Sequence, residues 1–228
     1  MSSDFRLRIN YRKAGRGAFL SHLEVLHTVE RIVRRAQLPY AITQGFHPHM
    51  KVAFGPALSV GTASDGEYLD LWLSEFVRPD TALEKLKAAA PSILPIEQVG
   101  YVGNKLPSLT AAITIHAYRA ELWARDIEID KVEQGFQSVR NDTSLEVVQK
   151  EKKKVFDPAL CIPKDAAVTK SEEGCVIDFS LRIAQTGALR PEILLQEVFN
   201  RAGRTYSHLE LARTGLFIEE DGVWVRPM

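Results

Sequence analysis

The sequence predicts an α+β protein built from two tandem ferredoxin-like (βαββαβ) plaits with antiparallel sheets. Three observations predict it. Segments of period two and segments of helical spacing follow one another as strand, helix, several strands, helix, strand, the order of a plait. The second half of the 228 residues runs through the same order again. Between the halves lies a breaker-rich linker, Gly103-Asn104-Lys105-Leu106-Pro107-Ser108. The expected domains are residues 1–103, carrying a basic helix and a histidine loop, and residues 108–228.

The first element alternates Phe5, Leu7, Ile9 and Tyr11 with Arg6, Arg8 and Arg12, which describes a strand with one wet, basic face. Gly15 and Gly17 end it. Ser21-His22-Leu23-Glu24 opens a helix, because the serine and the glutamate three positions later form a capping box that satisfies orphan amides. Leu23, Leu26, Val29 or Glu30, and Val33 follow helical spacing, Val25, Val29, Ile32 and Ala36 widen the apolar stripe, and Pro39 stops the helix. Residues 40–44 read as a short strand, 45–49 as a loop, 51–58 as a second strand, 61–66 as a turn and 67–73 as a third strand. Pro79 begins a helix to about residue 90, and residues 93–102 hold the closing strand despite Pro95.

In the second half, residues 111–123 alternate as a long strand and 127–139 read as a helix. Residues 145–153 and 176–183 are the next strands. Arg190-Pro191-Glu192 starts a helix with proline in its first turn, ending at Gly203. Residues 209–218 form the last main strand, and Asp221-Gly222 is a hairpin signal before Val223-Trp224-Val225.

Lysine plus arginine count 29 and aspartate plus glutamate count 29, so a global polyelectrolyte is excluded. The balance is uneven along the chain. Up to Phe54 there are nine basic residues against the acids Asp4, Glu24 and Glu30, and four of the six histidines lie there too. Residues 65–84 are acidic and restore neutrality. Arg31, Arg34 and Arg35 occupy the end of the first helix, with Arg31 and Arg35 one turn apart. Guanidinium groups at that spacing suit phosphate, although a solvated helix face is the ordinary reading. The run Lys150-Glu151-Lys152-Lys153-Lys154 reads as a wet strand end.

Gln44-Gly45-Phe46-His47-Pro48-His49-Met50-Lys51 is the most unusual stretch. His47 and Lys51 have the chemistry to reach phosphates, while Phe46 is expected to plug the core. Cys161 and Cys175 are the only cysteines, too few to staple this chain or to ligate a cluster or structural zinc, and they fit a reduced, cytoplasmic compartment. The opening residues lack a signal-peptide pattern and no apolar run spans a bilayer, so membrane association is not expected. No HExxH, GxSxG or GK[ST] motif is present, and neither a metal nor another cofactor is expected.

Several blocks resemble one family closely: Leu20-Ser21-His22-Leu23-Glu24, Glu30-Arg31, Arg34-Arg35-Ala36, Leu38-Pro39, Gln44-Gly45-Phe46-His47-Pro48, Ala53-Phe54 and Gly66-Glu67-Tyr68-Leu69-Asp70. On these residues the chain resembles the radical SAM-linked protein family, a bacterial domain of unknown function numbered 2344. The resemblance is dense over roughly the first 75 residues and thinner to Arg213-Thr214. It departs at His49-Met50, where arginine or histidine followed by proline is commoner. Members occur beside, or fused to, a radical S-adenosylmethionine enzyme, often near genes for ribosomal proteins and an RNA-processing ribonuclease. The resemblance thus implies an accessory partner of that enzyme. The chain itself lacks the CxxxCxxC cluster motif.

The expected function is a non-catalytic adaptor working with a radical SAM enzyme and binding RNA or a ribosomal component. The candidate contact residues are Arg8, His22, His27, Arg31, Arg34, Arg35, Gln44, His47 and Lys51. Two alternatives stay open. One is a protein-only adaptor without nucleic acid. The other is a metal-independent RNA-processing endonuclease, by fold-level analogy to CRISPR repeat-processing enzymes, with His22 or His47 as general acid/base.

Overall fold

The structure, a computed structural model, describes residues 5–149, 152–184 and 187–228, without the side chains of Gln149 and Lys152. It is mixed α+β and forms two compact units. One comprises the described residues up to Ile113 together with Gly215–Met228, and the other is Thr114–Thr214. No helix among the described residues is long and apolar enough to cross a membrane.

In the first unit the chain runs β1 (Phe5–Lys13), α1 (His22–Arg35), β2 (Val52–Phe54), β3 (Ala63–Leu73), α2 (Pro79–Ala89), β4 (Ile96–Tyr101) and a short α3 (Leu109–Ala112). β4, β1 and β3 are successive neighbours and β2 pairs with β3 beside that path, each of these pairings antiparallel. Alternation in β1 and β3 turns Leu7, Ile9, Leu69 and Leu71 to one face. There they pack against Val25, Val29, Ile32 and Val33 of α1 and Ala82 and Leu86 of α2. Gly17 lies against the Ile93 carbonyl so closely that a Cβ would collide with it, which explains a glycine just after the first strand. Residues 40–44 are not a strand but carry isolated bridges at Tyr40 and Ile42. The second strand shrinks to Val52–Phe54. The third begins at Ala63, because pairing with β1 continues through the polar Ser64 (opposite Lys13) into residues that read locally as a turn.

The wet basic face of the first strand is corrected by the structure. Arg6 is 4% and Arg8 3% exposed, and both bind Asp70. Arg6 Nη2 donates to Asp70 Oδ2 at 2.6 Å, and Arg8 Nε donates to Oδ1 at 2.8 Å. The remaining guanidinium hydrogens reach backbone oxygens: Arg6 those of Leu106 at 2.7 Å and Pro107 at 2.9 Å, and Arg8 that of Pro227 at 2.6 Å. Alternation does separate the arginines from the core face. The linker and the C-terminal residues then cover the face they occupy.

In the second unit the chain runs β5 (Ile115–Trp123), α4 (Ile129–Arg140), β6 (Leu145–Gln149), β7 (Lys152–Phe156), α5 (Pro158–Cys161), β8 (Ala167–Lys170), β9 (Gly174–Arg182), α6 (Pro191–Arg201) and β10 (His208–Glu220). β5 pairs with β9 and β9 with β8, antiparallel. The Ser207 N–H donates to Trp123 O at 2.8 Å and starts β10 beside the end of β5. Phe136, Phe179, Leu194, Val198 and Phe199 centre the core. Residues 145–153 are not one strand of this sheet. β6 and β7 form a separate two-stranded hairpin, and the sheet strand is β8 instead. The basic run falls largely on β7, with Lys150 and Glu151 outside the described residues.

After Thr214 the chain belongs to the first unit, unlike the consecutive segments expected. Leu216 packs with Tyr68, Leu109 and Ile113, and β11 (Val223–Val225) pairs with the end of β10.

Candidate nucleic-acid interface

Helix α1 begins as the sequence anticipates. Ser21 Oγ accepts from the Glu24 N–H at 3.3 Å, and Glu24 Oε2 accepts from the Ser21 N–H at 2.8 Å. The Ser21 hydroxyl also donates to Glu24 Oε2 at 2.7 Å, and this bond first, then that from the Ser21 N–H, holds the exposed Glu24 carboxyl below its ordinary pKa. With Val25, Val29, Ile32 and Val33 buried, the helical repeat carries His27, Arg31, Arg34 and Arg35 to the opposite, exposed side. Arg31 Nη2 donates to Thr28 Oγ1 at 3.0 Å, and Arg34 lies 3.8 Å from Glu30. Surface contacts of this kind leave the guanidinium groups accessible.

The stripe beside the arginines, His22, Leu26 and Glu30, forms one wall of a cleft of about 490 Å³. The lining also includes His49, Val52 and Phe54. His22 meets the Phe54 ring edge-on, with centroids 5.1 Å apart, and Tyr11 stands edge-on to Phe54 at 6.5 Å. Below His22 a small cavity of about 20 Å³ has a polar wall of Lys13 and Glu67. That is room for roughly one water. Lys13 Nζ donates to Leu20 O at 3.0 Å.

The loop that brings His49 to this cleft is closed by its own hydrogen bonds. The Thr43 N–H donates to His49 O at 2.9 Å, and the His49 N–H donates to Thr43 Oγ1 at 3.2 Å. Met50 is buried and anchors the far end. His49 Nδ1 lies 3.0 Å from His47 O. Thr43 Oγ1 lies 3.1 Å from the same nitrogen. Phe46 is corrected: it does not plug the core but stands fully exposed at the loop tip.

The nine contact residues expected from sequence do not gather in one concavity. His22 lines the cleft, and His27, Arg31 and Arg34 flank it on the outer side of α1. Gln44 and Lys51 line a different hollow of about 630 Å³, where Lys51 Nζ sits 5.3 Å from the Trp72 ring centroid. Arg35 lines a groove with Lys85 and Gln37. His47 is exposed on the loop, but the histidine in the cleft is His49. Arg8 is withdrawn altogether by its pairing with Asp70. Glu30 and Phe54 line the cleft but were not among the contact residues expected from sequence. The spacing of His22, Leu26 and Glu30 at successive fourth positions was the legible signal for one of them. Among the described residues no group of three His, Cys, Asp or Glu side chains is placed to hold a metal ion.

A family model described as "uncharacterized protein conserved in bacteria (DUF2344)" matches residues 6–191. Among solved structures, the chain is similar to a crystal structure of an unknown protein from Galdieria sulphuraria. The two are 9% identical with a TM-score of 0.28, over 92% of this chain and 99% of that one. It is also similar to a crystal structure of a putative glycine cleavage system transcriptional repressor. That pair is 13% identical with a TM-score of 0.26, over 93% of this chain and 99% of that one. No curated protein matches the chain.

Proposed function

The chain belongs to this family of uncharacterized proteins conserved in bacteria, and on that premise we propose that it is a non-catalytic accessory protein that binds single-stranded RNA at the α1 cleft. The observation that carries the proposal is the adjacency of two stripes on one helix. His22, Leu26 and Glu30 line a cleft together with the Phe54 ring, while His27, Arg31 and Arg34 lie on the next stripe outward. Single-stranded RNA needs that pairing: pockets and rings for unstacked bases, and guanidinium groups for phosphates. Phe46, exposed on the neighbouring loop, adds a stacking platform.

We further propose that each unit is a ferredoxin-like plait. The order β4-β1-β3, with β2 paired to β3 and with α1 and α2 between strands, supports a ferredoxin-like plait for the first unit. In the second unit, β8-β9-β5 with β10 beside β5 supports another, with the β6–β7 hairpin inserted. The protein partner in this reading is the radical SAM enzyme that the sequence resemblance implies.

Fluorescence anisotropy with a labelled single-stranded RNA, titrated across salt, tests it. Each phosphate contact contributes about 0.7 to the slope of log K against log salt. Arg31→Ala with Arg34→Ala therefore lowers the slope by about 1.4, and Phe46→Ala weakens binding by about 1–3 kcal/mol. Binding indifferent to salt and to all three changes ends the RNA reading. Capture of the radical enzyme from nuclease-treated lysate without RNA binding would leave the protein-only adaptor. One observation favours catalysis, the presence of His22 and His49 in a single cleft. Cleavage of the RNA in chelator, lost with His22→Ala, would move the reading to a histidine endonuclease.

A further inference from the structure

One carboxylate, that of Glu30, lines the cleft. Glu30 has a side chain only 19% exposed, yet its one ionic neighbour is Arg34 Nη1 at 3.8 Å, beyond hydrogen-bond length. Among the described residues no hydrogen bond reaches its oxygens. Glu30 lines the cleft without being sealed from solvent, so its oxygens stand open to a donor that enters there. An ionised carboxylate only accepts, and its two oxygens fit two parallel N–H groups.

We infer that Glu30 makes this cleft selective for guanine, accepting hydrogen bonds from N1–H and the 2-amino group of an unstacked base. The inference rests on the RNA-binding reading above. Guanine is the one common base whose Watson–Crick edge presents two adjacent donors. Adenine and cytosine place a ring-nitrogen lone pair beside their amino group, and that lone pair faces the second carboxylate oxygen repulsively. Uracil offers one N–H between two carbonyls. The Phe54 ring supplies an apolar surface for the base, and His22 stands edge-on to it at the mouth. A volume of about 490 Å³ falls in the range of small-ligand pockets. Arg34, beside Glu30 but on the exposed stripe, is placed for a phosphate adjoining that base.

The test is anisotropy at low salt with a seven-nucleotide uridine tract carrying one central guanosine, inosine, adenosine or uridine. The unmodified protein binds the guanosine RNA roughly tenfold or more tighter than the adenosine or uridine RNA. Inosine, which lacks the 2-amino group, falls between them. Glu30→Gln brings the guanosine RNA to the adenosine level and leaves the uridine RNA unchanged. Equal binding of all four by the unmodified protein overturns the guanine assignment while sparing RNA binding, and that comparison needs no variant to fold. Equal binding of guanosine and inosine, or a guanosine preference that survives Glu30→Gln, also overturns it. Binding of none of the four removes the RNA reading and this inference together.

Discussion

Two guanidinium groups share the Asp70 carboxylate in the first unit, and all three side chains are almost wholly buried. Burying charge is costly, and the cost is offset here because every charged group also meets hydrogen-bond partners. Removing the carboxylate's charge leaves two guanidinium groups facing each other with only backbone oxygens to hold them. Asp70→Asn should therefore destabilise the protein by about 3–5 kcal/mol, read from urea unfolding. A loss below about 1 kcal/mol would contradict the arrangement. In the second unit, His116 is buried, with Nδ1 3.3 Å from the Tyr118 hydroxyl. Burial, and then the Arg213 guanidinium, push its pKa down to about 3. The unfolded chain takes up this proton below about pH 6.5 and the folded one does not. The stabilisation is thus complete above pH 6.5 and is lost as the pH falls toward 3. Between pH 7 and 4.5 stability should drop by about 2–3 kcal/mol, and His116→Gln should flatten that part of the profile. An unchanged slope in the variant would assign the acid sensitivity elsewhere.

At the scale of elements, the packing of α4 on α6 depends on one missing side chain. A Cβ on Gly135 would sit 2.5 Å from Val198 O and 3.5 Å from the Ala202 Cβ. Helix propensity alone favours alanine over glycine by about 1 kcal/mol. Overpacking opposes that gain, so Gly135→Ala should give a net loss of about 1–3 kcal/mol and a lower Tm. A rise in Tm would mean that the two helices separate without cost. Helix α1 has the opposite character. Its start is held by Ser21 and Glu24 within its own first turn, and its buried stripe follows its own repeat. The β6–β7 hairpin shows where local reading stops. Leu145, Val147 and Phe156 are buried and alternate as a sheet strand would, yet they pack as a separate pair of strands. Alternation reports that one side is covered and carries no information about the partner strand.

Over the whole molecule, a formal charge of zero conceals a division that matters for binding. The basic surplus up to Phe54 is not all available to a polyanion. Arg6 and Arg8 are neutralised inside and Lys13 is buried, while of the groups that stay outside Arg31, Arg34 and Arg35 lie together on α1 and Arg12, Arg16 and Lys51 lie on other segments. The amino-acid sequence by itself determined β1, the capped start and buried stripe of α1, and the proline-led starts of α2 and α6, because each rests on contacts within a few residues or on a simple period. It also singled out His22 and the arginines of α1. Only the tertiary structure decided that Arg8 is withdrawn, that Phe46 is exposed, that His49 rather than His47 reaches the cleft, and that Glu30 opens into it. Those outcomes depend on which distant segment covers a face: the linker and Pro227 over the first strand, and a loop closed by Thr43 and His49 beside α1. Side-chain periodicity states which way a residue points, and the free energy of what it meets there is set by chain that lies far away in sequence.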